Sequence, residues 1–346
     1  MAIDLCFPVR FAKIYVRVNG KYGSFAPQCV IYTDCSRISL LVIMEHNDKA
    51  IPHNCARRCH KKSAARRAAD RGGIRMQEYA QAIAFARQEY LRQGLDSLYG
   101  RTFDELLLPE LAAALPAAVQ PEPVWTNIPK TDLLAALLRA DQLRRRYLQK
   151  KIDLHILQDT LDDIGRWART YFSCSGAVGL AEVRWLSNHL NFRLFQLGRL
   201  QFCMEPADFS APDCGIQCGE PLVSVHICAG APLTPDLCDR SFALARAFFQ
   251  KYFPEYPFRF FSCHSWLLDA EILSLVPEGS NIALFQKRFR IVARVPSDAI
   301  ARYVFRWNIR PEELAGYCPK NSFQQQLKTQ LLAGKQFYEA TGILAR

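Results

Sequence analysis

The spacing of apolar and polar positions changes character twice along the chain. Through residues 1–56, short apolar runs alternate with Gly, Pro and polar residues without a sustained period, which predicts only short strands such as 13–18 and 39–44. Residues 57–75 are a basic, Ala-rich run ending Arg71-Gly72-Gly73-Ile74-Arg75. From Met76 the period becomes helical. It predicts a helix over 76–93 closed by Gly94, a second over 103–115 closed by Pro116, and a Pro-rich connection over 117–129. A helix over 133–148 follows, with Arg144-Arg145-Arg146 at its negative end. In the next helix Leu154, Leu157, Leu161, Ile164, Ala168 and Tyr171 make one packing seam. Residues 173–179 read as a hinge and 180–190 as a further helix.

The period then drops to two. Residues 191–204 are predicted as one long strand in which Gly198 marks a bulge or a close approach, and 209–220 as a polar hairpin loop whose Cys214 and Cys218 are surface thiols. Residues 222–228 are a β-branched strand that runs into the small-residue loop Ala229-Gly230-Ala231-Pro232. Thr234 is placed to cap the next helix, with Pro235 at its first position and Asp236 in its first turn. Cys238, Ser241, Phe242, Ala245, Phe248, Phe249 and Tyr252 give that helix one packing face. Residues 258–263 form a central strand parallel to the first, with His264-Ser265-Trp266 at its carboxyl end. After it come a short helix over 267–276, strands over 282–292 and 300–307, and a helix to Ala333, capped by Ser322 with Gln325 and stopped by Gly334. The fold class is α+β, a helical N-terminal domain followed by a mixed β-sheet flanked by helices.

Charge separates the N-terminal stretch from the rest. The net charge is +11, but residues 1–75 hold 14 Lys and Arg against 5 Asp and Glu, which leaves 30 against 28 for residues 76–346. The globular part is therefore nearly neutral, and no nucleic-acid-binding face is expected on it. Five of the 13 cysteines also lie before Met76. Scattered cysteines without a secretory leader fit a reducing cytoplasm, and no apolar run approaches the roughly 20 residues that span a bilayer. A soluble cytoplasmic protein with no membrane partner is expected. His53, Cys55, Cys59 and His60 match no common zinc-finger spacing, so no metal is expected either. Residues 1–75 read as a disordered basic extension or a misassigned start. Gly72-Gly73 can be encoded by a purine-rich ribosome-binding sequence suitably spaced from Met76, and the competing reading is a basic arm.

For acid–base chemistry the candidates are His226 and His264, at the carboxyl ends of the two inner strands, since an imidazole with a pKa near 6.5 serves as acid or base at neutral pH. The alternative for each is a satisfied core histidine. Cys263 beside His264 is not a nucleophile–base pair, because adjacent strand residues face opposite ways.

Several strings carry a resemblance. Asp163-Ile164-Gly165-Arg166-Trp167, Leu197-Gly198-Arg199-Leu200-Gln201-Phe202, Val225-His226-Ile227, Cys263-His264-Ser265-Trp266-Leu267-Leu268-Asp269 and Ser280-Asn281-Ile282 are similar to the two-domain bacterial acyltransferase family with an N-acyltransferase N-terminal domain and a GNAT-like C-terminal domain. The resemblance runs from about Met76 to the C-terminus and implies domains at 76–178 and 179–346. It implies an acyltransferase that takes acyl-CoA as co-substrate, with no bound cofactor, and passes the acyl group to a small-molecule or peptide amine. It places the donor against Ile227, Cys228, Ala229, Gly230, Ala231 and Thr234, with backbone amides around 228–230 as oxyanion donors. Arg199 and Arg240 are either contacts for acidic groups of the donor or simply solvated. Two departures stand out. Cys228 occupies a place where the family leads one to expect Pro, and the spaced glycines of a pyrophosphate loop are missing. A non-catalytic acyl-CoA or metabolite-binding module and a protein-binding scaffold remain as alternatives.

Overall fold

The computed structural model describes residues 77–346 and the backbone of three short strands before them. His53, Cys55, Cys59, His60 and Met76 lie outside the described residues. The chain forms two units, Met1–Gln81 and Ala82–Arg346. In the first, β1 (Tyr15–Val18), β2 (Lys21–Ser24) and β3 (Ser39–Leu41) make an antiparallel sheet in the order β2-β1-β3, and β1 and β3 fall within the two predicted runs.

The helical part comprises α1 (77–92), α2 (Leu95–Tyr99), α3 (Phe103–Leu106), α4 (Leu111–Ala118), α5 (Pro129–Lys150), α6 (Leu154–Ser175) and α7 (Val183–Leu190). The single helix expected over 103–115 is two, because Pro109 sits in a 3-10 turn at Leu108–Glu110. Pro116 does not end the second of them. It lies inside α4, and the next turn still closes through Val119 N–H to the Leu115 carbonyl at 3.2 Å. Helix α5 starts on Pro129 at its first turn, where a proline's missing N–H costs nothing, and is buried on nearly all sides from Thr131 to Asp141. Helix α6 buries Leu157, Leu161, Ile164 and Ala168 along the predicted seam.

The sheet contains β4 (Leu194–Leu197), β5 (Leu200–Pro206), β6 (Pro221–His226), β7 (Phe260–Ser265), β8 (Arg290–Pro296) and β9 (Tyr338–Ala345), in the order β4-β5-β6-β7-β9-β8. Only β6 and β7 pair in parallel; the other neighbours are antiparallel. Around it lie α8 (Pro235–Tyr252), α9 (Asn281–Gln286), α10 (Ala299–Val304), α11 (Pro311–Leu314) and α12 (Ser322–Leu332). One apolar core joins the helical part to the sheet.

Several expectations are corrected here. The long strand over 191–204 is a tight hairpin in which Leu197 pairs with Leu200. Gly198 makes the turn at φ 71°, and an added Cβ would lie 2.9 Å from Ser241 Oγ, the hydroxyl that accepts from Arg199 N–H at 2.8 Å and Leu200 N–H at 3.3 Å. Gly198→Ala is expected to cost about 1–3 kcal/mol from the left-handed backbone and the clash together, read as a lower urea midpoint. The strand expected over 282–292 begins as α9, because Ser280 accepts from Ala283 N–H and starts a helix. Residues 300–304 belong to the helix α10 rather than to a strand, and Trp307, three residues past its end, meets Tyr303 at 5.2 Å between ring centroids. The helix expected over 267–276 is two 3-10 segments, Trp266–Leu268 and Ala270–Leu275. Asn321, not Ser322, caps α12, accepting from Gln324 N–H at 2.9 Å. Strand β9 has no counterpart in the prediction. Its Tyr338, Thr341 and Ile343 favour a strand while Glu339, Ala340 and Gly342 do not, and pairing between β7 and β8 decides.

The face of the sheet that carries Phe202, Val223 and Phe261 packs on α8, with Phe242 at 5.7 Å from Phe202 and 5.2 Å from Phe261 between ring centroids. The opposite face meets α6 and α7. Among the described residues no helix is long and apolar enough to cross a membrane.

Candidate active site

The β6–β7 ladder holds only two pairs, Val223 with Phe261 and Ser224 with Ser262. Beyond them the strands lose contact, and His226 and His264 sit just past the last pair. Registers place Gln201 opposite His226, Cys203 opposite Ser224 and Thr341 opposite His264, so these residues share one face of the sheet. It is the face turned toward the helical part. The structure thus brings together the two histidines that the sequence singled out and shows a polar face around them that the sequence reading missed. Its signal was legible: Gln201, Cys203 and Glu205, then Ser224 and His226, then Ser262 and His264 alternate along three consecutive sheet strands.

His226 is half-buried. Its Nε2 lies 2.6 Å from Ser224 Oγ, and the Trp185 ring tilts over it at 4.4 Å. Burial is the largest influence, followed by the neighbouring His189, and the imidazole pKa is pushed down to about 3 despite the opposing pull of Asp163. It therefore stands neutral at pH 7. When Nε2–H is donated to Ser224, Nδ1 carries the free lone pair. His264 is exposed, and its Nδ1 is held by Thr341 Oγ1 at 2.9 Å. Cys263, adjacent to it, is fully buried on the other face, and burial raises its thiol to about 12.

Behind Trp185 lies a buried charged cluster. Asp163 on α6 accepts from Arg166 at 2.5 Å, lies 2.8 Å from His189 Nε2 and accepts from Trp185 Nε1 at 3.2 Å. Burial alone would raise this carboxyl, but His189, Arg166 and the nearby Gln201 amide together hold it well below the usual carboxylate range. Gln201 Nε2 makes no hydrogen bond of normal geometry, and His189 Nδ1 is likewise buried without a partner. Trp185, His189 and Gln201 were not picked out from the sequence.

The expected donor loop is present, with mixed fates for its residues. Ile227 packs on the core, while Ala229, Gly230 and Ala231 are exposed. Gly230 has φ 141°, and nothing lies within 4 Å of where its Cβ would be. Cys228 is half-buried; its thiol donates to Gln196 Oε1 at 3.4 Å and lies 3.9 Å from Arg199 Nη1. Arg199 Nε donates to the Ala231 carbonyl at 2.5 Å and so braces the loop. The amides of Ala229 and Gly230 make no hydrogen bond among the described residues and remain available as donors. Thr234 occupies the cap position of α8, but its hydroxyl bonds no helix amide. Asp236 stands in the first turn, where the Thr234 hydroxyl first and then the neighbouring helix amides hold its pKa down. Arg288, ion-paired to Asp239, donates to the Pro235 carbonyl and adds positive charge at this helix end. No cluster of metal-ligating residues occurs among the described residues.

Residues 63–192 match the model of the N-acyltransferase N-terminal domain, and residues 194–344 match that of the GNAT-like C-terminal domain. The first match reaches back beyond Met76, where the sequence resemblance was placed. No curated protein matches. Among solved structures, a crystal structure of an acyltransferase in complex with decanoyl-CoA and teicoplanin is similar at 26% identity and TM-score 0.56, covering 62% of this chain and 66% of that one. The chain thus spans just under two thirds of that protein's length. A structure of an acyltransferase with decanoyl-CoA aligns over 69% of this chain and 76% of the other, at 26% identity and TM-score 0.57.

Proposed function

The chain joins an N-acyltransferase N-terminal domain to a GNAT-like C-terminal domain, and from this membership we infer that it transfers an acyl group from acyl-CoA to an amine. The observation that carries the reading is the opening between β6 and β7, with a neutral imidazole on its polar face and free amides in the loop at its edge. The acyl thioester enters this opening. The Ala229 and Gly230 amides donate to its carbonyl oxygen as negative charge develops there. The neutral amine attacks the carbonyl carbon, forming the C–N bond, and the nitrogen becomes acidic as it does so. His226 Nδ1 takes that proton, the C–S bond breaks, and the proton passes to the departing CoA thiolate. Nearby, His264 is the second group able to carry it.

Arg199, Arg240 and Arg288 supply positive charge near the start of α8 for the phosphates of the donor, where the negative charge of Asp236 stands in the first turn. Phosphate binding here rests on side chains rather than on a glycine-rich loop. Decanoyl-CoA is the donor to try first, given the similar acyltransferases. At a hundred times its Kd it is expected to add about 2.7 kcal/mol of stability, seen as a raised melting temperature. No shift with acyl-CoAs of any chain length removes the reading. A shift without CoA release in the presence of amines leaves a binding module in place of an enzyme.

A further inference from the structure

We propose that the acceptor is gripped by a rim made of Trp167, Tyr303 and Trp307 with the carboxylates of Glu182 and Glu339, and that this rim takes a primary amine carried on an aromatic ring body. The inference rests on the acyltransferase reading and extends it to the acceptor. Trp167 of α6 and Trp307 meet edge to face at 4.8 Å, and Tyr303 of α10 meets Trp307 at 5.2 Å. Tyr303 is 55% exposed, and it is the one exposed aromatic side chain among the described residues.

The rim adjoins the reacting groups on both sides. Ala181 N–H donates to the Trp167 carbonyl at 3.5 Å, which sets Glu182 beside Trp167 at the head of α7. One turn further on, Trp185 lies against His226. On the sheet, Glu339 stands two residues before Thr341, the residue that holds His264, and so shares its face. The Tyr303 phenol is raised first by burial and then by the fields of Glu182 and Glu339, which puts both carboxylates around one ring.

Neither Glu182 nor Glu339 has an ion-pair partner among the described residues; Glu339 accepts only from Ser297 Oγ at 2.7 Å. The one cation beside the aromatics, Arg302, lies over Trp307 and is tied to Asp298. Two carboxylates without an ion-pair partner beside the exposed ring of Tyr303 match an ammonium joined to an aromatic body, by charge and by cation–π attraction. An alkyl amine is a cation at neutral pH, so the rim collects its abundant form, and the neutral fraction moves inward to the histidines.

The test uses the full chain and tyramine as probe, followed by tryptophan fluorescence and calorimetry without acyl-CoA. Saturable binding is expected. N-acetyltyramine, which lacks the charge, and n-butylamine, which lacks the ring, are each expected to bind about tenfold more weakly. Trp307→Ala and the double variant Glu182→Gln/Glu339→Gln are expected to weaken tyramine binding by about tenfold while keeping the melting shift given by decanoyl-CoA. Trp307→Phe, which keeps a ring, is expected to retain most of it. Equal tyramine affinity in the wild type and in both variants overturns the proposal, as does the absence of tyramine binding. Loss of the decanoyl-CoA shift in the wild-type chain strikes the acyltransferase reading instead, because tyramine binding is read separately.

Discussion

His226→Ala lowers turnover with acyl-CoA and amine by roughly 10²–10⁴-fold while leaving the donor bound. The size follows from the loss of an imidazole at the opening that is neutral at pH 7 and held in place through Ser224 at 2.6 Å. Steady-state kinetics beside the thermal shift with decanoyl-CoA check it. Unchanged turnover in a folded variant rules His226 out and passes the role to His264. The low pKa also has a sign in stability. The unfolded chain takes up the proton near pH 6.5 and the folded chain only near 3, so stability falls as pH drops through that window. The variant is expected to show a shallower loss of melting temperature in acid, since it no longer has this site to protonate on unfolding.

Asp163→Ala is expected to destabilise the fold by about 3–5 kcal/mol, roughly 6–20 °C in melting temperature, and to impair activity in whatever fraction remains folded. The carboxylate is 3% exposed and holds Arg166, His189 and Trp185 at once. Removing it leaves a guanidinium without its buried partner and frees the indole that lies on His226. Asp163→Asn keeps the volume and one acceptor, so it is expected to cost less stability than alanine. Because the folded pKa of Asp163 lies below the ordinary value, its contribution is present above about pH 4 and disappears as pH falls through the folded value. Denaturant melts of the three proteins at pH 7 and at about pH 2 measure this, with the gap to the alanine variant narrowing at the lower pH; equal midpoints at pH 7 would mean that the cluster holds nothing in place.

The β6–α8–β7 unit was legible in the sequence because each of its signals is local. A β-branched run, a proline-started helix and a seven-residue apolar face need no partner to be recognised, and six of those seven positions are buried in the helix. After Trp266 the helix ending at Ala333 was legible from its cap and its terminal glycine, and it is α12; the other elements were not. Residues 282–292 and 300–307 are apolar runs short enough to suit either period, and in the first of them the Ser280 cap decided for helix. Strand β9 carries weak local preference and is fixed by pairing on both sides. Within the site, His226 and His264 were found because they end strands. Asp163, Trp185 and His189 were not, because a buried ion cluster joins residues 22 to 26 apart in sequence and has no spacing of its own.

The two-pair ladder between β6 and β7 divides the sheet into a β4-β5-β6 plate and a β7-β9-β8 plate. What fastens one plate to the other is mostly a triangle of rings, Phe202, Phe242 and Phe261, with centroids 5.2, 5.6 and 5.7 Å apart. Contacts of that kind have shallow angular preferences, so they tolerate small rotations that would snap a row of backbone hydrogen bonds. The sheet is therefore tied least by backbone pairing at its centre, beside the two histidines, and most of its cohesion there comes from side chains.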